Sequence, residues 1–178
     1  MKKKYLTKSP AQTRKLGKTL ASELLKKAKG EKRTGLFLSE EFLKTRSKKV
    51  AFIVGLEGDL GGGKTTFLQG FAKGLGIRER VLSSTFVILR KFKVPILLNS
   101  RSNLRRFASL YHIDCYRIQK PKEILDLGLE EVISNPQNII VIEWSDKIKK
   151  FLPKKAMILK FQFINKNSRR IWPTKKKS

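Results

Sequence analysis

The chain has 178 residues, a mean hydropathy of −0.34 and a hydrophobic fraction of 40%, values of a globular protein long enough to bury its own core. Lys and Arg number 41 against 14 Asp and Glu, a formal charge of +27; a single cysteine excludes an internal disulfide scaffold and fits a reducing compartment. The start, Met1-Lys2-Lys3-Lys4-Tyr5-Leu6-Thr7-Lys8, is basic with no apolar stretch behind it, so no signal peptide is expected, and the longest apolar runs, Val50–Val54 and Ile139–Ile142, are too short to cross a bilayer.

Ser9-Pro10 is the pattern of an N-cap with proline at the first helical position, and Leu16, Leu20, Leu24 and Ala28 recur at helical spacing, which predicts a helix over residues 10–28. Residues 29–49 are rich in Lys, Gly, Thr and Ser and read as an insertion loop with at most one helical turn, at Glu40–Leu43. Val50–Leu56 is short, continuous and β-branched, a buried strand closed by a glycine-rich loop. A helix is expected to open in Gly63–Thr66 and run through Phe67, Leu68, Phe71 and Leu75 to a cap at Gly76. Thr85–Phe92 reads as a strand, residues 93–107 as a second insertion, Leu110–Ile113 as a strand and Pro121–Leu127 as a helix. Asn138–Glu143 is a strand buried on both faces. Met157–Ile164 alternates, with Met157, Leu159, Phe161 and Phe163 on one face. The alternation predicts an α/β fold, a mostly parallel central sheet flanked by helices. The organisation expected is one domain over residues 1–172 with two basic insertions, then a frayed basic tail over 173–178.

The positive charge is unevenly placed. Residues 1–49 carry 16 basic and 4 acidic groups, residues 88–106 carry 6 and 0, and residues 145–178 carry 12 and 1, whereas residues 50–87 and 107–144 together hold 7 and 9. A basic coat favours polyanions, nucleic acid above all; the competing reading is a bias of surface composition alone. No RNP-type aromatic motif or zinc-finger spacing accompanies it.

Gly58-Asp59-Leu60-Gly61-Gly62-Gly63-Lys64-Thr65 fits G-x-x-x-x-G-K-[ST] without a mismatch. Glycines let successive N–H groups face phosphate oxygens, the following helix adds its N-terminal N–H groups, Lys64 supplies a charge to the β- and γ-phosphates, and Thr65 can ligate Mg²⁺. The alternative, a glycine-rich turn with a chance lysine, does not account for the buried strand before the motif and the helix after it. Ile139-Ile140-Val141-Ile142-Glu143 puts a carboxylate at the C-terminal edge of another strand. Glu143 is a candidate to hold Mg²⁺ or polarise water, against a capping or lysine-paired role. His112-Ile113-Asp114-Cys115-Tyr116-Arg117 adds Asp114 as a second acid, with His112 and Tyr116 alternating on the same side; alone, His112 reads as a hydrogen-bonded core residue and Cys115 as buried and inert. Ser83-Ser84-Thr85-Phe86 reads as hydroxyls that cap a strand start.

In this order, Gly58–Thr65, Ser83-Ser84-Thr85-Phe86, His112–Arg117, Glu123–Gly128 and Ile142-Glu143-Trp144 resemble the TsaE family from about residue 9 to about residue 171. That family comprises small bacterial P-loop ATPases required for threonylcarbamoyladenosine modification of tRNA at the adenosine beside the anticodon. The resemblance implies a P-loop NTPase fold and a cytoplasmic location. It implies a nucleotide site of Gly58, Asp59, Leu60, Gly61, Gly62, Gly63, Lys64, Thr65 and Thr66, and Mg²⁺ on Thr65 and Glu143. Asp114 is implied as a second essential acid and Thr85 as a switch threonine near the γ-phosphate. Thr13 and the Arg169-Arg170 turn correspond to the adenine end, and Trp144 to a structural or nucleotide-sensing position. It further implies a switch, driven by ATP and reset by its hydrolysis to ADP, that docks on the TsaD–TsaB heterodimer, with tRNA met indirectly or through the basic surface. Two departures stand out: Ser84 replaces the family's switch proline, and Asn167-Ser168 replaces the glycine before its late arginines. The rival readings are a P-loop small-molecule or nucleoside kinase, which would transfer phosphate to an acceptor, and a basic RNA-binding protein without catalysis.

Overall fold

The computed structural model describes residues 4–28, 35–38, 50–82, 88–95 and 107–175. Thr85 and the rest of Ser83-Ser84-Thr85-Phe86, most of residues 29–49 and residues 96–106 lie outside them.

Seven strands form one sheet: β1 (Tyr5–Thr7), β2 (Phe52–Gly58), β3 (Leu89–Lys93), β4 (Ser109–Asp114), β5 (Asn138–Glu143), β6 (Met157–Phe163) and β7 (Arg169–Lys175), in the order β1-β7-β6-β2-β5-β4-β3. The four central strands β6, β2, β5 and β4 are parallel, and β3, β7 and β1 join antiparallel at the edges. The sheet is therefore mixed, with the expected parallel arrangement at its centre. On one face lie α1 (Pro10–Ala28) and α2 (Lys64–Gly74), which bury Leu20, Leu24, Phe67 and Phe71 against Val54, Leu56 and Val141. On the other lie α3 (Glu123–Asp126), α4 (Leu129–Ser134) and a 3-10 helix, Ser145–Phe151, which bury Ile124, Leu129 and Ile148 against Ile53, Ile140 and Ile142. Among the described residues, no helix is long and apolar enough to cross a membrane.

The Ser9 side chain caps α1, accepting from the Gln12 N–H at 3.2 Å. Helices α1 and α2 cross where side chains are missing: a Cβ on Gly17 would stand 2.1 Å from the Phe67 carbonyl oxygen, and one on Gly70 would stand 1.9 Å from that of Arg14. This close crossing brings the start of α1 beside the start of α2.

Several boundaries differ from the sequence reading. Residues 35–38 are not a free loop: the Glu23 carboxylate accepts from the N–H groups of Leu36, Phe37 and Leu38 at 2.6, 3.0 and 3.1 Å, and Phe37 and Leu38 join the core. The second insertion is anchored at both ends, because Lys93 belongs to β3 while Val94 and Phe107 are buried. The helix expected at Pro121–Leu127 is a single turn, and a second one, α4, follows Gly128, whose left-handed backbone (φ 71°) breaks the run. The expected tail is strand as far as Lys175, since β7 pairs with β6 along its whole length. Phe163 leaves the apolar face of its strand, 44% exposed, with the Arg169 guanidinium 4.7 Å from its ring centre.

Candidate functional site

The C-terminal ends of β2, β4 and β5 and the N-terminus of α2 meet at a cavity of about 770 Å³. Its wall includes Gly61–Thr66, Asp114, Glu143, Trp144, Thr13 and Arg169. Parallel register explains the convergence: Leu56 lies opposite Glu143, and Asp114 lies opposite Glu143 on the other side.

The glycine-rich loop leaves β2 at Gly58, with Gly58, Gly61 and Gly63 at φ 130°, 71° and 93°. At Gly58 the reason is also steric, because an added Cβ would lie 1.8 Å from the Phe161 carbonyl oxygen of the adjoining strand. Lys64, 5% exposed, donates to the carbonyl oxygens of Gly58 and Asp59, each at 2.7 Å, and its ammonium stands 3.8 Å from the centre of the Trp144 ring. Burial holds the Lys64 ammonium below its ordinary pKa, against the upward pull of Glu143, Asp146, Asp59 and Asp114.

Thr65 donates its hydroxyl to Glu143, 3.0 Å from Oε1 and 2.8 Å from Oε2. His112 Nε2 is hydrogen-bonded to the same Glu143 Oε1 at 3.1 Å, so the carboxylate is held from two sides. His112, Asp114 and Glu143 are all buried and offer ligand atoms within 4.8 Å of one another. Asp114 Oδ1 also accepts from the Tyr116 N–H at 3.1 Å. Tyr116 lies past the end of β4, half exposed on the rim, and packs on Trp144 with ring centres 5.2 Å apart. Cys115 is fully buried, and burial, with Asp114 adding to it, pushes its thiol up to about 12.

Thr13 and Arg169 come from opposite ends of the chain to flank the loop: a Cβ on Gly63 would stand 3.5 Å from a side-chain carbon of each. Arg169 donates from Nε to the Gly61 carbonyl at 2.6 Å and from Nη1 to that of Asn165 at 2.8 Å. Arg170, the next residue along the strand, does not line the cavity; it bonds to Gln162 on the other face of the sheet. Lys166 on the cavity wall was not singled out from sequence, and Asn167 was noted only as a departure from the family's glycine; their position in the turn that carries Arg169 was the available signal. Trp144, which the resemblance gives as a structural or nucleotide-sensing position, is among the described residues the non-glycine with positive φ, 58°, a strain that no sequence pattern signals. Its N–H donates to the Leu56 carbonyl at 2.9 Å, tying the turn after Glu143 to the strand that feeds the loop.

A parallel-centred sheet with a glycine-rich loop opening a helix at its C-terminal edge defines the α/β fold of the P-loop NTPases. Residues 7–171 match the family described as threonylcarbamoyl adenosine biosynthesis protein TsaE, and the chain belongs to that family. It is 40% identical over 105 residues to the "tRNA threonylcarbamoyladenosine biosynthesis protein TsaE" of Bacillus subtilis, covering 59% of this chain and 58% of that one. The protein of that name from Haemophilus influenzae is 30% identical over 131 residues, 74% of this chain and 75% of that one. For the Nostoc protein the match spans 54% of its length, so the chain covers a little over half of some of these relatives. The crystal structure of YdiB from Bacillus subtilis superposes with a TM-score of 0.64 at 27% identity, over 98% of this chain and 86% of that one.

Proposed function

We propose that the protein is a Mg²⁺-dependent, ATP-binding and ATP-hydrolysing switch that serves threonylcarbamoyladenosine modification of tRNA by acting on the TsaD–TsaB complex. The observation that carries the nucleotide reading is the meeting of Lys64 and Thr65 with Glu143 and Asp114 on the wall of one cavity. The family and its relatives support the pathway.

In this reading the loop N–H groups and the α2 N-terminus take the phosphates, and Lys64 turns from the Gly58 and Asp59 carbonyls to a phosphate oxygen. The donor set suits Mg²⁺, a hard cation usually held by a hydroxyl and one or two carboxylates beside substrate phosphates. Thr65 and Glu143 would hold it, and it would supply charge neutralisation on the phosphates. His112 keeps the Glu143 carboxylate oriented, and Asp114 or Glu143 positions the attacking water. Thr13 and Arg169, which line the cavity beside Gly63, are the proposed contacts for the adenine end. Thr85 remains the proposed switch threonine.

The test is ATP hydrolysis by the purified protein with Mg²⁺, alone and with its cognate TsaD–TsaB pair, beside Lys64→Ala and Glu143→Ala. Slow turnover that the pair stimulates and both substitutions abolish is expected. Absence of stimulation, or phosphate transfer to an added nucleoside, would overturn the assignment.

A further inference from the structure

Strand alternation gives the β1-β7-β6 edge two unlike faces. Tyr5, Ile171 and Phe161 sit side by side and join the core beneath α1 and α2. The residues between them, Leu6, Arg170 and Gln162 in one row and Trp172 and Lys160 in the next, occupy the opposite face, with Lys4 beside Trp172. The helices on that side cover β2, β4 and β5 and reach only as far as Ile158 on β6. Beyond Ile158 the face is open: Leu6 is 54% exposed, the Lys160 side chain is 42% exposed, and Lys4 and Gln162 are exposed.

The chemistry of this open face is uniform. Lys4, Lys160 and Arg170 surround the half-buried Trp172, and the Lys4 ammonium stands 5.5 Å from the indole ring centre. Arg170 bonds to a neutral partner, Gln162, at 3.1 Å. The acid next to the face is Glu57, buried and paired to Lys160 at 2.5 Å, so it moderates one of the three cations and leaves Lys4 and Arg170 uncompensated by it. In sequence, Lys2 and Lys3 precede β1 and Lys176-Lys177 follow β7, whose last residue is Lys175.

We propose that this face binds RNA, with phosphates on Lys4 and Arg170 and an unpaired base stacked on Trp172. Charge complementarity selects the occupant: a polyanion with exposed rings matches cations arranged around one aromatic side chain on an open sheet. The proposal is distinct from the nucleotide cavity, which Arg169, on the other side of the same strand, lines instead. Only the choice of tRNA as a probe rests on the function proposed above.

The experiment is fluorescence anisotropy of full-length protein with a labelled unmodified tRNA transcript and a labelled single-stranded RNA, at low and moderate salt. The variants are Lys4→Glu with Arg170→Glu, Trp172→Ala and Trp172→Phe; melting temperature and binding of a fluorescent ATP analogue are measured on each. The double charge reversal is expected to weaken RNA binding by roughly tenfold or more and to flatten the salt dependence by about one unit of slope per lost phosphate contact. Trp172→Ala is expected to weaken binding roughly tenfold and Trp172→Phe to restore it. ATP-analogue affinity should be unchanged throughout, so a failure here is separable from a failure of the nucleotide site. RNA affinity that survives the charge reversal in a folded protein would overturn the proposal.

Discussion

Two glycines with positive φ differ sharply in what an added Cβ would meet, which tests the role of close packing under the loop. Gly58 has φ 130° and Gly128 has φ 71°, so an alanine at either position meets backbone strain of about 1–3 kcal/mol. At Gly128 nothing lies within 4 Å of an added Cβ, and strain is the whole cost. At Gly58 that Cβ would lie 1.8 Å from the Phe161 carbonyl oxygen and 2.8 Å from its carbon, both main-chain atoms of a paired strand. No rotamer change relieves such a contact; β2 and β6 must part where the loop begins, adding about 1–3 kcal/mol as overpacking does. Gly58→Ala should therefore cost about 2–6 kcal/mol and Gly128→Ala about 1–3. With a urea dependence of about 1–3 kcal/mol per molar, the Gly58 midpoint should fall by roughly twice as much as that of Gly128. Circular dichroism during urea unfolding reads both, and a fluorescent ATP analogue should lose affinity in Gly58→Ala only. Equal midpoint shifts would refute the argument from the Phe161 contact.

Glu143→Gln keeps the shape that Thr65 and His112 grip and removes the charge; analogue binding should stay within a few-fold while single-turnover hydrolysis falls by roughly 10²–10⁴-fold. The Cys115 thiol, raised from 9.0 to about 12, keeps its proton in the folded chain where the unfolded chain loses it. Its contribution to stability is thus full below 9.0 and declines as pH rises toward 12, and urea midpoints should show that decline in the wild type but not in Cys115→Ala. Glu23→Ala removes three charge-assisted hydrogen bonds to residues 36–38. It should cost on the order of 2–3 kcal/mol and open this segment to limited proteolysis; unchanged cleavage would contradict the clamp.

The phosphate loop and the Glu143 strand were legible because both are local patterns: a fixed glycine and lysine spacing, and four apolar residues ending in a carboxylate. The pairing of Thr65 with Glu143 was not, since it joins residues far apart in sequence through strand register. The same reason hid β1, three residues long and supported by β7 from the far end of the chain, and the anchoring of residues 35–38 by Glu23. Basic composition misled in the opposite direction. It suggested a tail from Pro173 on, whereas backbone pairing with β6 keeps Pro173–Lys175 in the sheet. Thr13 and Arg169 came only through resemblance; their approach to Gly63 depends on the glycine-lined crossing of α1 and α2 and on a β-hairpin turn, neither of which leaves a local signature.

The contacts of Lys64 bear on how its substitution must be read. Its ammonium bonds two carbonyls of its own loop and lies against Trp144, whose left-handed turn is tied through its N–H to Leu56 at the base of that loop. The lysine is thus a brace for the loop as well as the proposed charge for a phosphate. Burial disfavours its charged form, so the brace is partly offset by desolvation. Removing the side chain takes away both roles, and loss of nucleotide affinity in Lys64→Ala alone does not distinguish them. Glu143→Gln leaves the brace intact, so a turnover defect there with preserved binding would separate the chemistry of the site from the shape of its loop. Thr65 connects the two, since its hydroxyl sits one residue from the brace and bonds the Glu143 carboxylate directly. A shift of the loop around Lys64 therefore reaches the candidate metal-binding acid through a single hydrogen-bonded residue.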